Sequence, residues 1–171
     1  MIFAFTFALF VATYLLYTAG EHSERQLRAY VLISQGEISD IMSDQKIAVK
    51  LFVKNYGQTP AYKVAAWLRV DIAPFPLKTT LQPADVQQID NTNIGPGGEQ
   101  LMRLISDGPI PVELRAGFEP QKASAVYVHG IIKYVDAFEI RRFTNFRLYK
   151  GGRSGVTGPE LSFTTDDNEA N

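Results

Sequence analysis

The sequence predicts an all-β antiparallel sandwich preceded by one N-terminal transmembrane helix, and three observations carry that prediction. The first is a charge-free run from Met1 to Gly20, in which only Thr6 and Thr13 interrupt apolar and aromatic residues between Ile2 and Tyr17. The second is a set of short segments between residues 29 and 150 in which apolar and polar residues alternate, bounded by Gly, Pro, Asn and Asp, as strands and turns require. The third is size: 171 residues hold one domain of ordinary length with an appendage.

The N-terminal run is apolar all round. At about 1.5 Å per helical residue, twenty residues reach about 30 Å, the thickness of a bilayer core, where a helix satisfies its own backbone. Tyr14 and Tyr17 suit the headgroup boundary, and Glu21, Glu24 and Arg25 mark the exit into water. Residues 1–20 are therefore expected to span the membrane once, with the lipid bilayer as partner. A polar juxtamembrane helix over 21–28 then offers the i, i+4 pairs Glu21 with Arg25 and Glu24 with Arg28. A cleavable signal peptide would use the same stretch, with Thr18 and Gly20 small enough to flank a cut, but the basic leader such peptides carry is missing. A buried core helix would need a larger domain around it. Arg25 and Arg28 follow the span and no Lys or Arg precedes it, which leans the β domain toward the cytoplasm. An exported domain behind a signal anchor is equally compatible.

The clearest strand is Lys46 to Lys54, with Ile47, Val49, Leu51 and Val53 on one face and Lys46, Lys50 and Lys54 on the other. After N-Y-G-Q-T-P, residues 61–72 alternate again, with Tyr62, Val64, Ala66, Leu68, Val70 and Ile72 on one face. These two strands are expected to pair or to face each other. Weaker strands cover 29–38 and 100–105, the latter after the G-P-G-G turn at Gly95 to Gly98. Residues 125–135 and 140–149 form a hairpin across Asp136 to Glu139. A-D-V-Q-Q at 84–88 and V-E-L-R-A-G at 112–117 suit a helical turn or two, and 151–171, Gly-rich and then acidic, reads as a C-terminal tail that is mobile at its end. Six or seven strands over 29–150 need two packed sheets, and an immunoglobulin-like sandwich is the economical arrangement.

Composition closes several function classes. Lys and Arg number 17 against 18 Asp and Glu, so the basic surface that drives nucleic-acid binding is lacking and no nucleic acid is expected. Cysteine is absent and the histidines are His22 and His129 alone, which excludes disulfides, iron-sulfur clusters, structural zinc and cysteine nucleophiles. No cofactor or metal is expected. The chain has no G-x-S-x-G elbow, Walker loop, strand-borne G-x-G-x-x-G or H-E-x-x-H.

R-A-Y-V at Arg28 to Val31, N-Y-G-Q-T-P-A at Asn55 to Ala61, G-x-I-x-Y-x-D at Gly130 to Asp136 and the terminal N-E-A-N form a series of landmarks. In them the chain resembles a class of uncharacterised small bacterial membrane-anchored proteins with an immunoglobulin-like β domain, and the resemblance runs over essentially the whole length. It implies attachment to the bacterial cytoplasmic membrane and the fold, without a reaction. Members of that class end in an acidic residue where this chain has Asn171, and carry late cysteines that it lacks.

The candidate interaction loop is Asn55, Tyr56, Gly57, Gln58, Thr59 and Pro60. The same residues also read as a demanding turn, with positive φ at Asn and Gly and side-chain bonds from Asn55 and Thr59 fixing the corner, and that reading weighs more. His129 sits in mid-strand without an evident titratable partner, and a surface or half-buried strand histidine outweighs a general base. Arg141, Arg142, Arg147, Lys150 and Arg153 form a basic stretch that strand alternation divides between two faces. Trp67 reads as core or boundary before it reads as a platform. The expectation is a non-catalytic module for protein-protein interaction or structural support at the membrane, its protein partner unknown. The alternative is a small-ligand or carbohydrate binding domain using Tyr56, Trp67 and Tyr127. Third is a hydrolytic enzyme, with Asp136 and Glu139 the close acidic pair.

Overall fold

The charge-free run and the polar residues after it form a single helix, α1 (Ile2–Leu27), so the span and the juxtamembrane helix read from the sequence are continuous. The structure, a computed structural model, describes residues 2–39, 41–106, 108–118, 124–152, 158–166 and 168–171, with side chains except at 2–5, 8, 18–19, 21–22 and 86–91. Among the described residues, no helix is long and apolar enough to cross a membrane.

The strands that follow are β1 (Val31–Ile38), β2 (Ala48–Asn55), β3 (Ala61–Pro74), β4 (Val86–Ile94), β5 (Glu99–Ile105), β6 (Ser124–Val135), β7 (Arg141–Gly151) and β8 (Ser162–Phe163). They build two sheets, β1-β2-β5 and β4-β3-β6-β7-β8, in which all the pairings are antiparallel. The alternation in β2 buries Val49, Leu51 and Val53 against Leu68, Val128, Ile132 and Leu148 of the other sheet. Each such side chain contributes about 1.5–3 kcal/mol on burial. β6 and β7 form the expected hairpin, in register from Val135 with Arg141 to Ala125 with Gly151.

Two hydroxyls tie the sheets where α1 hands over to β1. Thr144 Oγ1 donates to the Val31 carbonyl at 2.6 Å. The Tyr134 hydroxyl donates to the Ala29 carbonyl at 3.3 Å and accepts from the Val31 amide at 3.4 Å. Burial raises the Tyr134 phenol above its ordinary pKa, because the ionised form would lose its water.

One alternative is decided and three expectations are corrected. β2 and β3 belong to different sheets, so of the two arrangements expected they face each other. Val86 to Gln88, read within a helical turn, open β4, because they pair with the edge of β3 at Leu68 and Trp67 and tertiary pairing overrides local propensity. Strict alternation along β3 breaks at Lys63, whose φ is 51°. The register shifts there, Ala65 is buried, and Tyr62 is exposed, as a bulge dictates. The end of the chain, expected to be mobile, is tied down at its described residues. Leu161 N donates to Gly36 O, Thr164 N to Arg147 O and Asn145 N to Glu169 O, while Asn168 and Asn171 side chains accept from the Arg147 and Phe143 amides. The segment thereby closes the otherwise open edge of β7. The 112–117 turn forms as read, as α2 (Val112–Arg115) and a 3-10 turn at Ala116–Phe118.

Candidate functional site

The Asn55 to Pro60 segment joins β2 to β3, and its first residue is fully buried. Asn55 Oδ1 accepts from the Tyr30 amide at 3.1 Å and the Gly57 amide at 2.9 Å. Its Nδ2 donates to the Thr59 carbonyl at 2.8 Å and the Ile94 carbonyl at 3.1 Å. One carboxamide thus fastens the ends of both sheets, satisfying all that its two donors and its acceptor offer. The expected positive φ at Asn55 and Gly57 is absent. Gly57 is required for a different reason: a Cβ there would lie 2.2 Å from the Arg28 carbonyl oxygen, because the chain entering β1 passes directly over the turn. Thr59 Oγ1 is buried without a hydrogen bond among the described residues, so Asn55 alone holds the corner by side-chain bonding. Tyr56 and Gln58 point outward, with Lys54 Nζ 5.3 Å from the Tyr56 ring centroid.

A second place stands out on the outer face of the larger sheet. Register places Arg69, His129 and Arg147 side by side across β3, β6 and β7, with Trp67, Ile131 and Asn145 in the next outward-facing row. Residues 80–84 arch over this face and border a cleft of about 540 Å³ lined by His129, Arg147, Trp67, Ile131 and Asn145 together with Leu81 and Pro83. Gly130 permits the close approach of the strands beneath, since a Cβ there would stand 2.1 Å from the Trp67 carbonyl oxygen.

His129 has the titratable partner that sequence order does not reveal. Its Nε2 lies 2.9 Å from Asp71 Oδ2, and Asp71 Oδ1 accepts from Arg69 Nε at 3.1 Å. Arg69 reaches on to Asp85 at 3.5 Å. Asp71 is 58 residues from His129 in sequence but one register step away across the β3-β6 ladder, and only strand pairing brings them together. A carboxylate-bonded imidazole can in principle pass a proton. Here the side chain is 11% exposed and its carboxylate is shared with a guanidinium, an arrangement that holds the ring in place.

The aromatic trio considered for ligand binding does not assemble. Trp67 lines the cleft, Tyr56 stands at the Asn55 corner, and Tyr127 is buried with its hydroxyl on the Pro74 carbonyl at 3.2 Å. Burial raises the Tyr127 phenol above its ordinary pKa, against the lowering effect of Arg147. The basic stretch divides as alternation predicts. Arg141 is exposed on the outer side. Arg142 turns inward onto the buried Asp136 carboxylate at 2.8 Å, and Lys150 turns inward onto the Gly158 and Glu160 carbonyls. Burial lowers the Lys150 ammonium pKa, partly countered by Glu160. Arg153 lies outside the described residues. Asp136 also accepts from the Phe138 and Ile140 amides, both at 3.0 Å, so it organises the hairpin turn in which Glu139 takes a φ of 64°. Comparison with family models, curated proteins and solved structures gave no match.

Proposed function

We propose that this chain is a membrane-anchored, non-catalytic β-sandwich module of immunoglobulin-like type that engages a protein partner, or gives structural support, at the bacterial cytoplasmic membrane. The observation that carries the reading is the state of α1. Phe7 and Phe10 are each 70% exposed and Leu16 74%, and Leu15 and Tyr17 are exposed beside them. An apolar helix that its own domain leaves uncovered needs another apolar medium. The positions of α1 without described side chains are filled in the sequence by Ile2, Phe3, Ala4, Phe5, Ala8, Thr18 and Ala19 before the first charge at Glu21. The charge-free part of the helix, residues 2–20, reaches about 28 Å at 1.5 Å per residue, against a bilayer core of about 30 Å.

The immunoglobulin-like reading is supported by the chain's alternation between layers. β1, β2 and β5 lie in one sheet and β3, β4, β6 and β7 in the other, with Greek-key crossovers between them. The cleft over Trp67 favours a second reading, small-ligand binding, since about 540 Å³ falls within the usual range for such sites.

Alkaline carbonate extraction of membranes from cells making the full chain tests the anchor. Retention in the pellet and release by detergent is the expected result. Release by carbonate alone would remove the membrane reading.

A further inference from the structure

The cleft over His129 does not end at Trp67. A second concavity of about 310 Å³ adjoins it on the same face, sharing Trp67, Ile131 and Lys133. The two form one channel that follows β6 from His129 to Val135, about 20 Å at 3.3 Å per strand residue. Among the described residues, its walls carry Lys63, Lys133, Arg141, Arg142 and Arg147 and no Asp or Glu. Arg142 is committed to Asp136, but Lys63, Lys133 and Arg141 form no ion pair among the described residues. In a chain whose net charge is -1, this is a concentrated positive strip with an apolar floor. Lys133 holds its ammonium 5.1 Å from the Trp67 ring centroid, so a cation already occupies an indole face against which a sugar ring would stack.

We propose that this channel binds an extended, acidic segment of a partner polypeptide. The proposal rests on the protein-interaction reading and names the occupant. An extended peptide matches the length along β6, its backbone and apolar side chains meet Trp67 and Ile131, and carboxylates on alternate residues reach the flanking cations. Charge complementarity of this kind sets partner choice and association rate.

The test uses the full chain in non-ionic detergent and the fluorescence anisotropy of a labelled octapeptide alternating Glu and Ser, beside its Lys-Ser counterpart. Saturable, salt-sensitive binding of the Glu peptide alone is expected. The double variant Lys133→Ala, Arg141→Ala should weaken it about tenfold, as two exposed charge contacts allow. Arg103→Ala, exposed on β5 of the other sheet, should leave it unchanged. Equal binding of the Lys peptide, equal loss in Arg103→Ala, or displacement by citrate or a uronate oligosaccharide at concentrations matching the peptide would overturn the proposal. A chain that stays in carbonate-washed membranes yet ignores the Glu peptide loses this proposal and keeps its anchor. One released by carbonate that still binds the peptide loses only the anchor.

Discussion

The corner at Asn55 and the cleft beside His129 both depend on a polar side chain bonded to groups far away in sequence. At the corner, all four partners of Asn55 are backbone groups, drawn from the entry to β1, the turn itself and the end of β4. At the cleft, the partners are side chains, His129 with Asp71 and Asp71 with Arg69. Backbone partners make a fastening that tolerates no other residue. Side-chain partners make an adjustable network bordering open space. The first kind stabilises a fold, and the second leaves a surface available for recognition.

Substitutions at the corner should have the largest effects. Asn55→Ala would strand the Tyr30 and Gly57 amides and the Thr59 and Ile94 carbonyls, and a loss of about 3–5 kcal/mol is expected in chemical denaturation. A loss below about 1 kcal/mol would mean that water replaces the carboxamide. Gly57→Ala forces the entry to β1 away from its turn and should cost about 1–3 kcal/mol. The corner account would be weakened by an alanine variant as stable as the parent.

Alkaline stability sharpens the contrast further. Tyr134 and Tyr127 both have raised pKa values, chiefly through burial. Each therefore contributes stability that is complete below the ordinary phenol pKa and lost as pH rises through the raised value. Lys150, lowered by burial, acts oppositely, and its contribution improves as pH rises through its lowered pKa. Melting curves across the alkaline range should fall for the parent and fall less for Tyr134→Phe. Tyr127→Phe should show the smaller relief, because its hydroxyl lies in a partly buried position on Pro74 while that of Tyr134 is enclosed between the sheets.

The smallest effect belongs to the cleft. Asp71→Asn keeps a hydrogen-bonding group beside His129 and should change stability by less than about 1 kcal/mol. A loss as large as that of Asn55→Ala would show that the cleft is as structural as the corner.

Much of this architecture was legible in the sequence because it rests on local pattern. Ile47, Val49, Leu51 and Val53 announce a half-buried strand, and Asp136 to Glu139 announces a hairpin. The corner was legible in part: the Asn55 side-chain bonds were expected, but Asn55 and Gly57 take no positive φ and Thr59 Oγ1 makes no bond among the described residues, and the need for Gly57 comes from Arg28 crossing over it. β4 was not legible, because a free strand edge and not local propensity makes Val86 to Gln88 extended. Nor was the Asp71-His129 pair, which exists only through the register of β3 with β6. The landmark residues Asn55, Gly57, Gly130, Tyr134 and Asp136 all serve backbone demands or sheet ties in this fold.

The central claim is that α1 lies within a bilayer while the sandwich stands in water, and the cysteine-free chain allows it to be tested site by site. Single cysteines at Val11 and Gln45 of the full chain, reconstituted in lipid vesicles with the sandwich outward, would be exposed to a membrane-impermeant maleimide. The account predicts rapid labelling of Gln45→Cys and protection of Val11→Cys until detergent is added. Equal labelling of both in intact vesicles would contradict it.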